Sequence, residues 1–186
     1  MTDKIKIEDL EKLKVAFDVN ENKQKEIEKE LLEIEVKIIN KKFNPKDNNI
    51  MEIYDIMDNI SDWKIQLSKV LKKSIRYEMS TELLGKTFEK VNNDIFADLL
   101  LSEELKSKAL KNADEKKAWV SQKMNENGML DYSMYAEKQK IKSKNTFKQI
   151  MVVADVVKEL DEKNSRKVSV MQVQQQLGQL GTGTNK

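Results

Sequence analysis

The sequence predicts an all-α protein built from long amphipathic helices, and three observations support this fold class. Charged side chains make up 35% of the 186 residues and aromatic side chains only 6%, while the chain holds 5 glycines and 1 proline. This balance is typical of long solvated helices and not of a turn-rich β protein. Apolar residues recur at gaps of three and four in several segments, which places them on one face of a helix. No segment of useful length alternates as a strand does.

The clearest pattern is a central stripe from Ile50 to Leu71, in which every position at gaps of three and four is apolar except Lys64. A second row repeats every seven residues beside it: Ile56, Trp63, Val70 and Tyr77. Such a face is wider than a two-stranded seam, so the helix is expected to meet more than one neighbour, in a bundle or a coiled-coil-like oligomer. The residues expected to pack there are Ile53, Met57, Ile60, Trp63, Leu67 and Leu71.

Lys64 occupies a core-like position of this stripe, and two interpretations stay open. Its stem can pack along apolar surface while the ammonium group reaches water. Alternatively, a polar residue at such a position can fix the register or the oligomeric state of a coiled coil. The first interpretation is the default.

The pattern divides the chain into four regions. N-terminal helices are predicted over 1–43, central long helices over 50–127, a basic helical region over 131–180 and a flexible tail over 181–186. The clearest loop surrounds Pro45, because the residue before a proline is pushed out of the α region.

Several helix ends are expected in the first two regions. The Asp18–Asn20 segment is expected to break the first helix, and Asn49 to cap the central one. The central helix is predicted to end near Tyr77, with Ser80 or Thr81 as the N-cap of the next helix. Further along, a break is also expected around the glycine at position 85 or the Asn-Asn-Asp segment at 92–94.

The later helix ends are predicted from residues that favour helix-capping positions. Ser102 is expected to start a polar helix over 103–127, with Gly128 just past its end. Asp131 is expected to cap the last long helix. That helix is predicted to stop at Lys163–Ser165, and a short C-terminal helix is predicted to follow from position 169.

The absence of two residue types restricts the chemistry. The sequence contains no histidine and no cysteine, so Ser–His–Asp, Cys–His and ordinary zinc sites are impossible. Asp55, Asp58 and Asp62 could form a carboxylate site for magnesium or calcium, or they could simply line a solvated helix face. The solvated face is favoured, because the ligand spacing of an EF-hand is missing. We therefore expect no enzyme, no metal and no cofactor. The N-terminus lacks the apolar segment of a signal peptide and no run could span a bilayer, so a cytoplasmic protein is expected.

Charge is distributed unevenly although the net charge is only +2. Residues 132–186 hold 10 basic and 5 acidic side chains, whereas residues 1–40 hold 8 and 11. The basic end favours a polyanionic partner. The candidate nucleic-acid contacts at this end are five lysines and two tyrosines that could stack on bases: Lys138, Lys140, Lys142, Lys144, Lys148, Tyr132 and Tyr135. A second candidate group comprises Lys69, Lys72, Lys73 and Arg76. Helical lysine runs are also common as solubility features, and that alternative stays open.

Several short motifs suggest a family when taken in order. These are IEDL at 7–10, FDV at 17–19, LKK at 71–73 ahead of Tyr77, a helix over 154–160 and SRK at 165–167. In this order they resemble the UvsY-type recombination mediators of bacteriophages, although this chain is longer. The resemblance implies a helical, oligomeric, non-enzymatic protein that binds single-stranded DNA and helps to load a recombinase. It also implies that Lys72, Lys73 and Arg76 contact DNA.

Three functional hypotheses follow. The first is a single-stranded DNA-binding recombination mediator, phage-encoded and acting as a homo-oligomer with a recombinase or another protein partner. The second is a phage structural or assembly protein, such as a scaffolding or virion component, which the same heptads would serve. The third is an inhibitor of a host nucleic-acid enzyme, in which the acidic N-terminal forty residues would engage the target.

Overall fold

The computed structural model describes residues 7–41, 49–108, 110, 112–126 and 128–181 of the chain. These residues form five helices and no strand, which confirms the all-α prediction: α1 Ile7–Asn40, α2 Ile50–Leu101, α3 Glu103–Ser107, α4 Ala113–Glu126 and α5 Met129–Gly181. The three long helices pack against one another as a helical bundle. No helix among the described residues combines the length and apolar character needed to cross a membrane.

Heptad spacing explains why the long helices pack. Their buried residues recur at gaps of three and four, so each helix presents one continuous stripe to its neighbours. In α1 these residues are Leu10, Leu13, Phe17, Asn20, Gln24, Ile27, Leu31, Ile34 and Ile38. In α2 they are Ile53, Ile56, Ile60, Trp63, Leu67, Val70, Ser74, Tyr77, Thr81 and Phe88. In α5 they include Gln139, Ser143, Thr146, Ile150, Val153, Val157 and Asn164.

The chain divides into two compact units, and each unit takes pieces of all three long helices. Unit 1 comprises Met1–Glu26 and Ser74–Asn145, and unit 2 comprises Ile27–Lys73 and Thr146–Lys186. Both units are discontinuous in sequence, because α1, α2 and α5 each contribute a segment to both. This division differs from the four sequential regions that the pattern suggests.

In unit 1, α1 runs antiparallel to α2 and parallel to α5. Side-chain hydrogen bonds fix the first pairing, since Asn20 bonds Thr81 and Gln24 accepts a bond from Tyr77. The helices α3 and α4 close one end of this unit over an apolar cluster. The buried members of the cluster are Leu10, Phe17, Phe88, Leu105, Val120, Met124 and Met129.

In unit 2, the central stripe forms the core. Ile53, Ile60, Trp63 and Leu67 are buried as predicted, and Met57 and Leu71 are half-buried at the edge of the stripe. These residues are buried inside a single chain. Unit 2 also contains segments of α1 and α5, against which the stripe packs within one chain. The expected homo-oligomer stays a prediction.

The expected break at Asp18–Asn20 does not occur, and α1 is continuous. The side chain of Asn20 is buried and donates to Thr81 Oγ1 at 2.8 Å and to Gln139 Oε1 at 3.2 Å. Asparagine disfavours a helix when its amide competes for the local backbone. Here the amide has partners on two other helices, so this competition is removed.

The expected end near Tyr77 is also wrong, since α2 continues to Leu101. Thr81, expected as a cap, lies inside the helix, and its hydroxyl donates to the Tyr77 carbonyl at 2.9 Å. Gly85 and the Asn-Asn-Asp segment at 92–94 are also helical. The buried heptad row continues past Gly85 to Phe88, so packing outweighs the cost of about 1 kcal/mol for this helical glycine.

Three of the predicted helix ends are confirmed, and two more are corrected in the region between α2 and α5. Asn49 Oδ1 accepts from the Met51 amide at 3.2 Å, and Ser102 Oγ accepts from the Leu105 amide at 3.2 Å, as N-caps do. Gly128 has φ 76 and ends the segment before α5. The predicted helix over 103–127 is instead split into α3 and α4. The last helix begins at Met129, so position 131 lies inside it and does not cap it.

The short C-terminal helix is corrected as well, because α5 runs without interruption to Gly181. Asn164 and Ser169 were expected at a helix end and a new cap. Instead Asn164 Nδ2 donates to the Leu160 carbonyl at 2.9 Å, and Ser169 Oγ donates to the Ser165 carbonyl at 3.0 Å. Both bonds satisfy polar side chains within the helix. The predicted loop at 44–49, apart from Asn49, and the tail beyond Gly181 lie outside the described residues.

Candidate nucleic-acid interface

The four residues that we call the α2 basic group lie on the surface of α2. Lys69, Lys72 and Lys73 belong to unit 2, and Arg76 belongs to unit 1. All four side chains are exposed. Within the described part of the chain, Lys69 and Lys72 make no ion pair, and they lie three residues apart on neighbouring turns of one face. They therefore present two uncompensated charges side by side.

Lys73 has a different environment in the same group. Its ammonium group donates to the Glu30 carboxylate on α1. Lys64 also pairs across helices, with its Nζ 2.5 Å from Asp161 Oδ2 on α5. Its side chain is 48% exposed, which fits the first interpretation of Lys64, in which the stem packs while the charge reaches the surface. Lys73 and Lys64 thus serve helix pairing in unit 2.

The five lysines that we call the α5 lysine group, from Lys138 to Lys148, are held only loosely. The nearest carboxylate to Lys142 is Glu21 at 3.8 Å, and the nearest to Lys140 is Glu137 at 3.9 Å. Both separations exceed hydrogen-bond distance. Among the described residues, the other three members of the group have no ion-pair partner. Contacts of this kind on the surface contribute little to stability, so these ammonium groups are available to other anions.

The α5 lysine group does not form one surface. Lys140 and Lys144 line a groove of about 860 Å³ between α2 and α5 in unit 1. Lys142 instead approaches Glu21 on α1. Lys148 lies further along α5, in unit 2. These lysines therefore lie on different faces of α5, as their spacing along a helix predicts.

Tyr135 takes part in packing within unit 1, and its role in stacking on bases stays a prediction. The ring meets Phe17 edge to face, with centroids 5.6 Å apart and an interplanar angle of 89°. Its hydroxyl donates to the Glu21 carboxylate. Burial and this hydrogen bond raise the pKa of Tyr135 to about 12, and the same bond, with Lys25 and Lys142 nearby, lowers the pKa of Glu21.

Tyr132 lies half-buried against the same apolar cluster of unit 1. Its ring has one packed side, so a base could meet only its exposed part. The stacking role of Tyr132 stays a prediction. The sequence spacing gave no reason to separate the two tyrosines, because position along a helix does not reveal which ring finds an aromatic neighbour.

Sequence reasoning missed a buried polar layer in unit 1. Gln139 is its centre, since Nε2 donates to the Phe17 carbonyl at 2.9 Å and Oε1 accepts from Asn20. Ser74 and Ser143 are also buried, and in the described structure their hydroxyl oxygens and Asn20 Oδ1 have no hydrogen-bond partner. The sequence did contain one indication of this layer, since these polar residues occupy heptad positions that are usually apolar.

The described residues contain no group of three acidic side chains placed to hold a metal ion. The aspartates of α2 at 55, 58 and 62 are exposed, as expected for a solvated face. Comparisons with known proteins add no assignment, since no protein-family model, no curated protein and no solved structure matches this chain.

Proposed function

We propose that this protein is a non-enzymatic helical protein that binds single-stranded DNA and serves as an accessory factor in recombination. The observation that carries the proposal is the pair Lys69 and Lys72, two exposed ammonium groups on neighbouring turns of α2 without a carboxylate partner among the described residues. Phosphates bound there would release condensed counterions, which is the main source of affinity for nucleic acid. The resemblance to UvsY-type mediators supports the same region, since it includes Lys72.

Arg76 is a separate candidate contact, in unit 1. It is exposed and has no ion-pair partner in the described residues. A guanidinium group can hold a phosphate through two hydrogen bonds. Lys73 contributes less, because Glu30 already holds its ammonium group.

The test is a salt titration of binding to a fluorescein-labelled single-stranded oligothymidine, followed by fluorescence anisotropy. The wild type is expected to bind at low salt, with an affinity that falls steeply as salt rises. Replacing both Lys69 and Lys72 by glutamine is expected to reduce the slope of log affinity against log salt by about 1.4, from about 0.7 per lost phosphate contact.

Two control variants remove the same charge elsewhere. The pair Lys116→Gln and Lys117→Gln lies on α4, where both side chains are exposed. The pair Lys138→Gln and Lys142→Gln tests the α5 lysine group. A smaller effect of both controls supports the proposal. Absence of binding at low salt, or an equal loss in all three variants, contradicts it.

A second candidate, a helical assembly protein, is favoured by one observation. Leu32, Val36 and Ile39 are exposed on α1 at gaps of four and three, which forms an apolar row on a surface helix. If the chain is an assembly factor, replacing these three residues by serine would abolish its cosedimentation with phage particles. The same variant would leave DNA binding unchanged under the first proposal.

A further inference from the structure

The groove between α2 and α5 in unit 1 has the form of a helix-docking site. Both of its walls follow heptad spacing. The α2 wall includes Glu78, Glu82, Lys86 and Glu89, and the α5 wall includes Glu137, Lys140 and Lys144. Rows at gaps of four and three on two adjacent helices form the ridges and hollows into which further helices pack.

The floor of the groove is open. A Cβ atom added at Gly85 would meet nothing within 4 Å, and Ala136 and Ser133 are the small residues opposite. The hydroxyl of Ser143 lines the groove, is only 1% exposed, and has no hydrogen-bond partner in the described structure. A buried hydroxyl without a partner costs free energy, and a polar group entering the groove would relieve that cost.

Exposed apolar side chains lie on the same two helices, next in helical position to residues of the groove walls. Met79 on α2 and Met134 on α5 are 66% and 65% exposed, and Ile75 and Ile141 are exposed beside them. Apolar residues of this size, grouped along two neighbouring helices, are typical of a protein interface.

The charges of the walls indicate the occupant. The α2 wall carries three glutamates, Glu78, Glu82 and Glu89, and one lysine, Lys86, so it is acidic overall. The α5 wall carries Lys140 and Lys144 and one glutamate, Glu137, so it is basic overall. The pKa of Glu82 is lowered by Lys86 and, more weakly, by Lys140, so opposite charges already interact within the groove. A face with one acidic and one basic helix is complementary to itself when it is rotated about an axis parallel to the helices.

We propose that this groove is a homodimer interface, in which α2 of each copy packs antiparallel to α5 of the other. The two-fold rotation brings the acidic wall of one copy against the basic wall of the other, twice in the dimer. The opposite arrangement, α2 against α2, would place glutamates against glutamates and is disfavoured. The product is a four-helix contact, an arrangement common among helical proteins. The inference does not rest on DNA binding.

The first experiment measures mass by light scattering after size exclusion, without DNA. The wild type is expected to show twice the 21.7 kDa of one chain at micromolar concentration. Gly85→Trp fills the groove and is expected to give a folded monomer, because the position is helical and its Cβ direction is open. The matched control Gly178→Trp places the same side chain at another helical glycine whose Cβ direction is open, in unit 2, and is expected to leave the dimer intact.

The second experiment reverses the charge of one wall at a time. Glu82→Lys with Glu89→Lys gives two basic walls, and Lys140→Glu with Lys144→Glu gives two acidic walls. Each variant alone is expected to dimerise at least about tenfold more weakly. An equimolar mixture is expected to form a heterodimer, because each acidic wall then meets a basic one. Circular dichroism verifies that every variant is folded.

Three results overturn the proposal. The first is a wild type that stays monomeric at every concentration, which would indicate that a helix of another protein or a small ligand occupies the groove. The other two are a dimer that survives Gly85→Trp and charge-reversed variants that do not recover on mixing, and either would place the interface elsewhere.

Discussion

The amide of Asn20 donates to the hydroxyl of Thr81 at 2.8 Å, joining the interior of α1 to the interior of α2. The same amide donates to Gln139 Oε1 on α5, so one side chain ties three helices of unit 1 together. Both Asn20 and Thr81 occupy heptad positions that are usually apolar. A polar residue at such a position specifies alignment at a cost in stability. The bond therefore selects one register of α1 against α2.

Removing the Asn20 amide is expected to destabilise the protein. Asn20→Ala deprives the buried Gln139 Oε1 of its donor and leaves a small cavity, so the free energy of unfolding should fall by about 1–3 kcal/mol. Asn22→Ala is the matched control, because Asn22 is exposed on the same helix and should change stability by less than about 0.5 kcal/mol. Urea unfolding followed by circular dichroism gives both values. Equal effects of the two variants would contradict the role assigned to Asn20.

The Tyr135 phenol is expected to titrate later than an ordinary tyrosine. Its pKa is raised from 10.0 to about 12, chiefly by burial and then by the hydrogen bond to Glu21. A raised pKa means that this interaction stabilises the fold below pH 10 and that its contribution is lost as the pH rises from 10 towards 12. NMR of Cζ-labelled tyrosine, with the signal assigned by Tyr135→Phe, measures the titration. A midpoint near 10 for this signal would contradict the buried environment.

Acidification should reduce the stability that the Glu21 carboxylate contributes as the hydrogen-bond partner of Tyr135. The pKa of Glu21 is lowered below its ordinary value of 4.5, first by the Tyr135 hydroxyl and then by Lys25 and Lys142. The stabilisation is present above pH 4.5 and is lost as the pH falls through the lowered pKa. Urea midpoints measured from pH 6 downwards should therefore decline less steeply for Tyr135→Phe than for the wild type. Parallel curves would show that the hydroxyl does not hold the carboxylate.

Two glycines should respond to alanine with opposite signs. Gly85 is helical and its Cβ direction is open, so Gly85→Ala should raise the free energy of unfolding by about 0.5–1 kcal/mol. Gly128 has φ 76, a conformation that side chains disfavour, so Gly128→Ala should lower it by about 1 kcal/mol. Thermal and urea unfolding check both changes. The same sign at both positions would contradict the backbone conformation described for one of them.

The Lys64–Asp161 pair should contribute little to stability despite its 2.5 Å separation. Both side chains are partly exposed, and pairs of this kind are worth about 0–1 kcal/mol. A double-mutant cycle with Lys64→Ala and Asp161→Ala should give a coupling energy in that range, declining in high salt. Lys64→Met should leave stability unchanged or slightly higher, since the position lies beside the apolar stripe. A coupling above about 2 kcal/mol would instead favour a role in fixing the register.

The helix ends show which structural features can be predicted from local sequence. The caps at Asn49 and Ser102 and the positive φ of Gly128 follow from residue type and spacing alone, and each was predicted. The ends expected at Asn20, Thr81 and Asn164 were wrong for a shared reason. Asn20 and Thr81 bond each other across helices, and Asn164 is buried and bonds the carbonyl one turn earlier, so in none of them does the side chain terminate its own helix.

The candidate nucleic-acid interface likewise combines features that local sequence predicts with features that depend on how the helices pack. Spacing grouped Lys69 and Lys72 with Lys73 and Arg76, but it could not show that Glu30 engages Lys73. It also grouped the α5 lysines by their position along the chain, and only the packing of α5 shows that Lys140 and Lys144 line the groove while Lys142 approaches Glu21.

Heptad spacing and helix propensity act over one or two turns, so the residue pattern was sufficient to predict an all-α protein and the buried stripe of α2. Three further features required the packed structure: the stripe is buried inside one chain, the helices continue through their polar residues, and a groove lined by Gly85 stays open. Those outcomes depend on which helices meet, and the energy of a buried contact between distant segments exceeds the preferences of any single residue.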